Sequence, residues 1–176
     1  EIIVIDNGSV DGSSEVLRIA TGTNGYANLQ VYSLAKRVDF DTASWVGLEN
    51  ALGDYVAILD PLVEGVSFLE TMIEQSVNGK DVVFAKNEVK PPHRIGYRFS
   101  KAVFNNIYKF FTGVNLADDA PLYRILSKRV INYILQFPQP AKAYRHLPVT
   151  SGFSRVNLNY RWNSVHCPDN GFWESF

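Results

Sequence analysis

Two carboxylates, each placed directly after an apolar run, are the residues of this sequence best suited to do chemistry. Asp6 follows Ile2-Ile3-Val4-Ile5 and opens the turn Asn7-Gly8-Ser9-Val10-Asp11-Gly12, and Asp60 follows Tyr55-Val56-Ala57-Ile58-Leu59. In an open α/β sheet a ligand binds outside the carboxyl ends of the strands. A carboxylate in that position accepts hydrogen bonds from hydroxyl and N–H groups or faces a cation. Asp6 is therefore read as part of a site.

The elements needed to position these acids are legible. Ile2 to Ile5 are an unbroken β-branched run, as expected of a parallel strand covered on both faces. Ser13 to Ala20 reads as a helix, with Val16, Leu17 and Ala20 on one stripe and Ser13 or Asp11 as its N-cap. A short second strand spans Asn28 to Leu34, and a helix runs from about Thr42 to Leu52, with Gly53 as its C-terminal cap. Asp54 to Asp60 form a third strand. Strands alternating with helices of this length make right-handed βαβ units, which predicts Asp6 and Asp60 at the same edge of one sheet.

Composition narrows the class. The chain has 176 residues, 46% of them hydrophobic and 13% aromatic, enough for a real core in one domain. A formal net charge of -1 argues against a general nucleic-acid binder. The single cysteine, Cys167, excludes an intrachain disulfide framework and reads as inert. His93, His146 and His166 are too scattered for a metal-ligand set. No apolar run approaches the ~20 residues of a membrane span. A chain that starts inside a strand predicts that an earlier strand is missing from the N-terminus.

Glu1 to Gly12 resembles the strand and turn of family-2 glycosyltransferases with the GT-A fold, a hydrophobic run followed by Asp-Asp-Gly-Ser-x-Asp-Gly. Ala43-Ser44-Trp45-Val46-Gly47-Leu48-Glu49-Asn50-Ala51-Leu52-Gly53-Asp54-Tyr55-Val56 is similar to the family's A-x-N-x-G-L-x-x-A-x-G-D-Y-V, and Leu59-Asp60 stands where its L-D-x-D begins. Lys80 to Ala85 resembles the following G-x-D-V-V-x-G strand. Leu116 to Val130 resembles a D-x-G-x-F-R-L-x-x-R-x-V block, which points to the branch that makes polyprenyl-phosphate sugars, dolichol-phosphate mannose synthase among them. The order and spacing of the blocks carry more weight than any one of them.

The resemblance implies a GT-A-like, Rossmann-like α/β domain over residues 1–160, a mostly parallel sheet with helices on both faces, and a tail over 161–176. It implies a nucleotide-sugar donor, an inverting transfer, and an acceptor such as a polyprenyl phosphate at the cytoplasmic face of a membrane. Asp6, Asn7, Ser9 and Arg37 then bind the nucleotide-sugar, and Asp60 is the first acid of the Asp-x-Asp pair that holds Mg²⁺ or Mn²⁺ against the diphosphate. Asp119, or Asp118 one residue earlier, orients the acceptor or acts as base, and Arg124 and Arg129 meet phosphate. Departures from the pattern matter. Asn7 replaces the second Asp of the first block, Asp39 stands where glycine is usual, and Leu62 replaces the second metal-side acid, with Glu64 two residues late. A leucine cannot ligate a metal, so a catalytically degenerate binding domain is the rival reading.

Each residue has a plainer alternative. Asp6 could only close an Asx-turn, and Asp60 before Pro61 could only end a strand. Asp118-Asp119 could cap a helix in which Leu122, Ile125, Leu126 and Val130 face the core, with Arg124 a surface ion-pair partner. An ATPase of the actin type also carries a hydrophobic-Asp-Asn-Gly-Ser turn, but it expects a hairpin next, where this chain enters a helix. From Arg94 to Phe111, Phe99, Val103, Ile107 and Phe110 follow helical spacing beside a second aromatic row, flanked by Arg94, Arg98, Lys101 and Lys109. That pattern fits an interfacial helix on anionic lipid, or a core or homo-oligomer-interface helix. Phe137-Pro138-Gln139-Pro140 breaks a helix, and Ser154 to Arg161 alternates as an edge strand or hairpin arm.

Overall fold

The computed structural model describes residues 1–61, 63–89 and 120–162. It divides into two compact units, Glu1–Gly53 and Asp54 onward.

In the first unit β1 (Ile2–Asp6), α1 (Ser13–Ala20), β2 (Leu29–Ser33) and α2 (Phe40–Asn50) follow the alternation read from the sequence. β1 and β2 pair in parallel, Ile2 opposite Leu29 through Asp6 opposite Ser33. Ile2 is exposed and Ile3 to Ile5 are half-buried, so β1 is less covered than its composition predicts: among the described residues only β2 flanks it in this sheet. α2 starts two residues before the expected Thr42, because Asp39 is its N-cap and accepts bonds from both the N–H and the hydroxyl of Thr42. The helix ends at Asn50 on an extended Ala51, so Gly53 is not its cap.

The second unit holds a four-stranded sheet in the order β3-β5-β4-β6, made of β3 (Tyr55–Ile58), β4 (Val82–Asn87), β5 (Arg124–Ser127) and β6 (Arg155–Tyr160). β5 runs antiparallel to both β3 and β4, while β6 pairs in parallel with β4 at the edge and is no hairpin arm. The central places of β4 and β5 explain why Val82 to Ala85 and Arg124 to Ser127 are buried on both faces. Between β3 and β4 lie a 3₁₀ turn (Val66–Phe68) and α3 (Leu69–Val77); α4 (Lys128–Ile134), α5 (Pro140–Ala143) and α6 (Leu147–Thr150) lie between β5 and β6. Met72 of α3 packs with Val83, Ala85, Tyr123, Ile125 and Tyr160.

The α/β GT-A-like expectation holds, with two differences. Residues 124–127 are a strand and not part of a helix; a short run buried on both faces has no period that separates it from a helical one. β3 takes its hydrogen bonds from β5, so Asp6 and Asp60 end strands of two different sheets and not of one.

Candidate functional site

In the first unit the end of β1 is a tightly specified turn. Asp6 is 5% exposed and is bonded to hydroxyl and N–H groups. Its Oδ2 accepts from the Ser14 hydroxyl at 2.6 Å and its Oδ1 from the Ser9 N–H at 3.1 Å. The Ser14 hydroxyl first, then Ser9, hold its carboxyl below the usual carboxylate range, so it is an anion. The Asx-type turn is present, and the hydroxyls of Ser9 and Ser33 also act on the carboxylate.

Asn7 has a role its composition did not announce. Its amide donates to the Val38 carbonyl at 2.8 Å, and its side-chain oxygen accepts the Val38 N–H at 2.9 Å. The side chain imitates a strand and ties residues 36–38 to the end of β1. Gly8 sits at φ +72, and a Cβ there would lie 2.7 Å from the Arg37 nitrogen and 2.9 Å from the Lys36 carbonyl carbon. Asn7 thus clamps the turn, Ser9 supplies an N–H to Asp6, and exposed Arg37 is carried on the clamped segment.

In the second unit the loop after β3 carries Asp60 and Glu64. The Asp60 N–H donates to Glu64 Oε2 at 2.7 Å, and the Asp60 carbonyl accepts from the N–H groups of Glu64 at 2.8 Å and Val63 at 3.1 Å. Glu64 is 8% exposed. Burial, reinforced by the nearby charge of Asp60, pushes its carboxyl up to about 7 against the pull of Arg124. Half-buried Asp60 thus neighbours an acid that is substantially protonated at neutral pH.

Arg124 is not placed to meet a phosphate, and Arg129 is engaged by a carboxylate. Arg124 is fully buried: its Nε donates to the Pro121 carbonyl at 2.9 Å, its Nη2 to the Ala120 carbonyl at 3.1 Å, and its guanidinium lies over the rings of Phe84 and Tyr144. Its β5 position turns it inward, where it ties the segment entering the strand. Arg129 is largely exposed but is paired with Asp81 and lies over the Phe153 ring. Asp81 also accepts from the hydroxyls of Ser127 at 3.1 Å and Ser154 at 2.9 Å. Burial works to raise its carboxyl, but Ser154, Ser127 and Arg129 together hold it low. This cluster joins the start of β4, the N-cap of α4 and the approach to β6, partners 46 to 73 residues apart that no local pattern reveals.

Asp118, Asp119 and the 94–111 segment lie outside the described residues, as does Leu62. Among the described residues no group of three His, Cys, Asp or Glu side chains could hold a metal ion, and no helix is long and apolar enough to cross a membrane. Glu64 Oε2 is engaged by the Asp60 N–H within the loop itself.

Residues 1–135 match the sequence model of glycosyl transferase family 2. The chain is 29% identical over 136 residues to an undecaprenyl-phosphate 4-deoxy-4-formamido-L-arabinose transferase of Aeromonas hydrophila, covering 77% of this chain and 41% of that protein. It is 26% identical over 136 residues to the transferase of the same name from Pseudomonas fluorescens, covering 77% and 39%. The chain thus spans less than half the length of these relatives. Its fold resembles glucosyl-3-phosphoglycerate synthase from Mycobacterium tuberculosis in complex with Mn²⁺ and UDP-glucose, with a TM-score of 0.52 and 19% identity over 95% of this chain and 61% of that one.

Proposed function

This chain belongs to glycosyl transferase family 2, and on that premise we propose that it binds a nucleotide-sugar and transfers the sugar to a polyprenyl phosphate with inversion. The observation that carries the reading is the turn after β1. An ionised Asp6, fixed by Ser9 and Ser14 at the carboxyl end of a parallel strand, is built to accept hydrogen bonds from a nucleoside. In this reading Asp6 and Ser9 bind the nucleoside, Asn7 and Gly8 fix the turn, Arg37 faces the diphosphate, and Asp60 serves the sugar-diphosphate end.

A phosphate acceptor suits the sparse set of acids. Its oxygen is already an anion, so it attacks the anomeric carbon without losing a proton. The bond from that carbon to the donor's diphosphate breaks, and the nucleoside diphosphate leaves with the electron pair. Asp119, or Asp118, orients the acceptor in this scheme and does not deprotonate it. The name shared by two relatives supports a polyprenyl-phosphate acceptor, and the basic, aromatic 94–111 sequence is consistent with a reaction at a membrane surface, which we take to be the cytoplasmic one. With one carboxylate where the family has a pair, a divalent cation adds little to donor affinity.

Titration with UDP, GDP, UDP-glucose and GDP-mannose, each with Mn²⁺ and with EDTA, tests the reading. A bound donor present at 100 times its Kd raises stability by about 2.7 kcal/mol. No stabilisation by any of the four overturns it. The loss of the Asp-x-Asp pair favours a second reading, donor binding without transfer. Turnover assays of the wild type and of Leu62→Asp separate the two.

A further inference from the structure

The loop that carries Asp60 is held from a distance by a residue beyond the matched family region. Gly65, at the far end of that loop, has φ −76 and ψ 111, which any residue adopts. Its backbone does not call for glycine; the space around it does. A Cβ at position 65 would lie 2.9 Å from Cδ2, 3.0 Å from Cε3 and 3.2 Å from Cγ of Trp162. The indole rests directly on the loop main chain. On the same residue the Tyr123 hydroxyl donates to the Gly65 carbonyl at 3.3 Å.

Trp162 follows the end of β6 and is held there by a side chain. The Asn87 amide donates to the Trp162 carbonyl at 2.8 Å, and the Asn87 side-chain oxygen accepts the Trp162 N–H at 3.1 Å, across 75 residues of sequence. The pair extends the parallel β4–β6 ladder beyond its last register pair, Asn87 opposite Tyr160. Tyr160 stacks on Phe68 with ring centroids 4.9 Å apart, which fixes the strand against the 3₁₀ turn that follows Gly65.

We propose that Trp162, held by Asn87 and seated on Gly65, is a positioning residue that fixes the Asp60–Gly65 loop. The loop's internal bonds, Asp60 N–H to Glu64 and the Val63 and Glu64 N–H groups to the Asp60 carbonyl, stay closed because the indole caps their far end. Its effect on donor affinity rests on the reading of Asp60 given above; its effect on the loop does not. The family-model match covers residues 1–135, and Trp162 lies after it.

Amide hydrogen exchange and UDP-glucose titration of the intact chain test it together. In Trp162→Ala the Asp60, Val63 and Glu64 amides exchange at least ~10-fold faster while those of β4 and β5 are unchanged, the local opening expected when one cap is lost. The Kd for UDP-glucose rises ~5-fold or more, as for a positioning contact removed far from the chemistry. Trp162→Phe restores both. Gly65→Ala reproduces Trp162→Ala, and in the double variant the second change adds nothing, because the new methyl group then has no ring to strike. Unchanged exchange at Asp60 in Trp162→Ala, or fully additive effects in the double variant, overturns the proposal. If UDP-glucose fails to bind the unaltered protein, that donor is wrong, and the exchange result alone decides the positioning role.

Discussion

The loops after β1 and β3 solve the same problem with the same two devices. Each carries an acid at the end of a strand, and each depends on an asparagine side chain that imitates backbone: Asn7 ties its own turn to Val38, while Asn87, at the end of β4, holds the Trp162 that seats on the loop after β3. Each also has a glycine pressed against its neighbour. They differ in what the glycine meets. Gly8 has φ +72 and faces the main chain of Lys36 and Arg37, which cannot turn aside; Gly65 has an ordinary φ and faces a ring that can. The first loop is locked by backbone, the second by side chains, the Trp162 ring and the Tyr123 hydroxyl. The second is the adjustable one.

The largest effect that tests this contrast is Gly8→Ala. A left-handed residue with a Cβ loses about 1–2 kcal/mol, and forcing that Cβ against main chain adds up to ~3 kcal/mol. The expected loss is about 4 kcal/mol in urea unfolding. Its cost adds to that of any second substitution nearby, whereas the costs of Gly65→Ala and Trp162→Ala do not add. A Gly8→Ala protein as stable as the wild type would remove the distinction.

The acids on the two loops respond to pH in opposite senses. Asp6 has its carboxyl held low by Ser14 and Ser9, so its contribution is present above the ordinary carboxylate range and is lost as pH falls through its folded value. Glu64 is raised from 4.5 to about 7, so its contribution is full below 4.5 and is lost as pH rises toward 7. A shift of that size corresponds to roughly 3 kcal/mol. Urea unfolding measured from about pH 4 to about pH 8 should therefore show a decline for the wild type that Glu64→Gln abolishes, since an amide keeps an acceptor for the Asp60 N–H without the buried charge. A Glu64→Gln protein with the wild-type pH slope would assign the titration to another group.

How well the two loops could be read in advance follows from the range of their contacts. The strand, turn and helix of residues 2–20 are local, and their apolar run, glycines and hydroxyls indicated them directly. Asp39 departs from the family's glycine, and Asp39-x-x-Thr42 is an N-cap pattern that explains the departure. Arg124 could not be placed from sequence: four residues buried on both faces look the same in a strand and in a helix, and the antiparallel partners of β5 lie far away in the chain. Asp81 stands at the acid of the G-x-D-V-V block, but its partners, like those of Trp162, lie tens of residues away and leave no local pattern. Leu62 was the most informative single residue, since a side chain without oxygen in a metal-side position changes the chemistry whatever the fold does.

The smallest effect separates the two asparagines. Asn7 is partly buried, and Asn7→Ala strands the Val38 N–H and carbonyl where water enters poorly, which costs about 2 kcal/mol. The bonds of Asn87 are exposed, so water replaces them in Asn87→Ala and the loss stays under ~1 kcal/mol. That variant frees the backbone of Trp162 without touching the core, and its effect belongs in the mobility of the Asp60 loop more than in global unfolding. Equal losses of stability for the two variants would mean that the loops are locked alike. A small loss for Asn87→Ala with faster exchange at Asp60, beside a large loss for Asn7→Ala, is the outcome expected of one fixed loop and one held by a removable side chain.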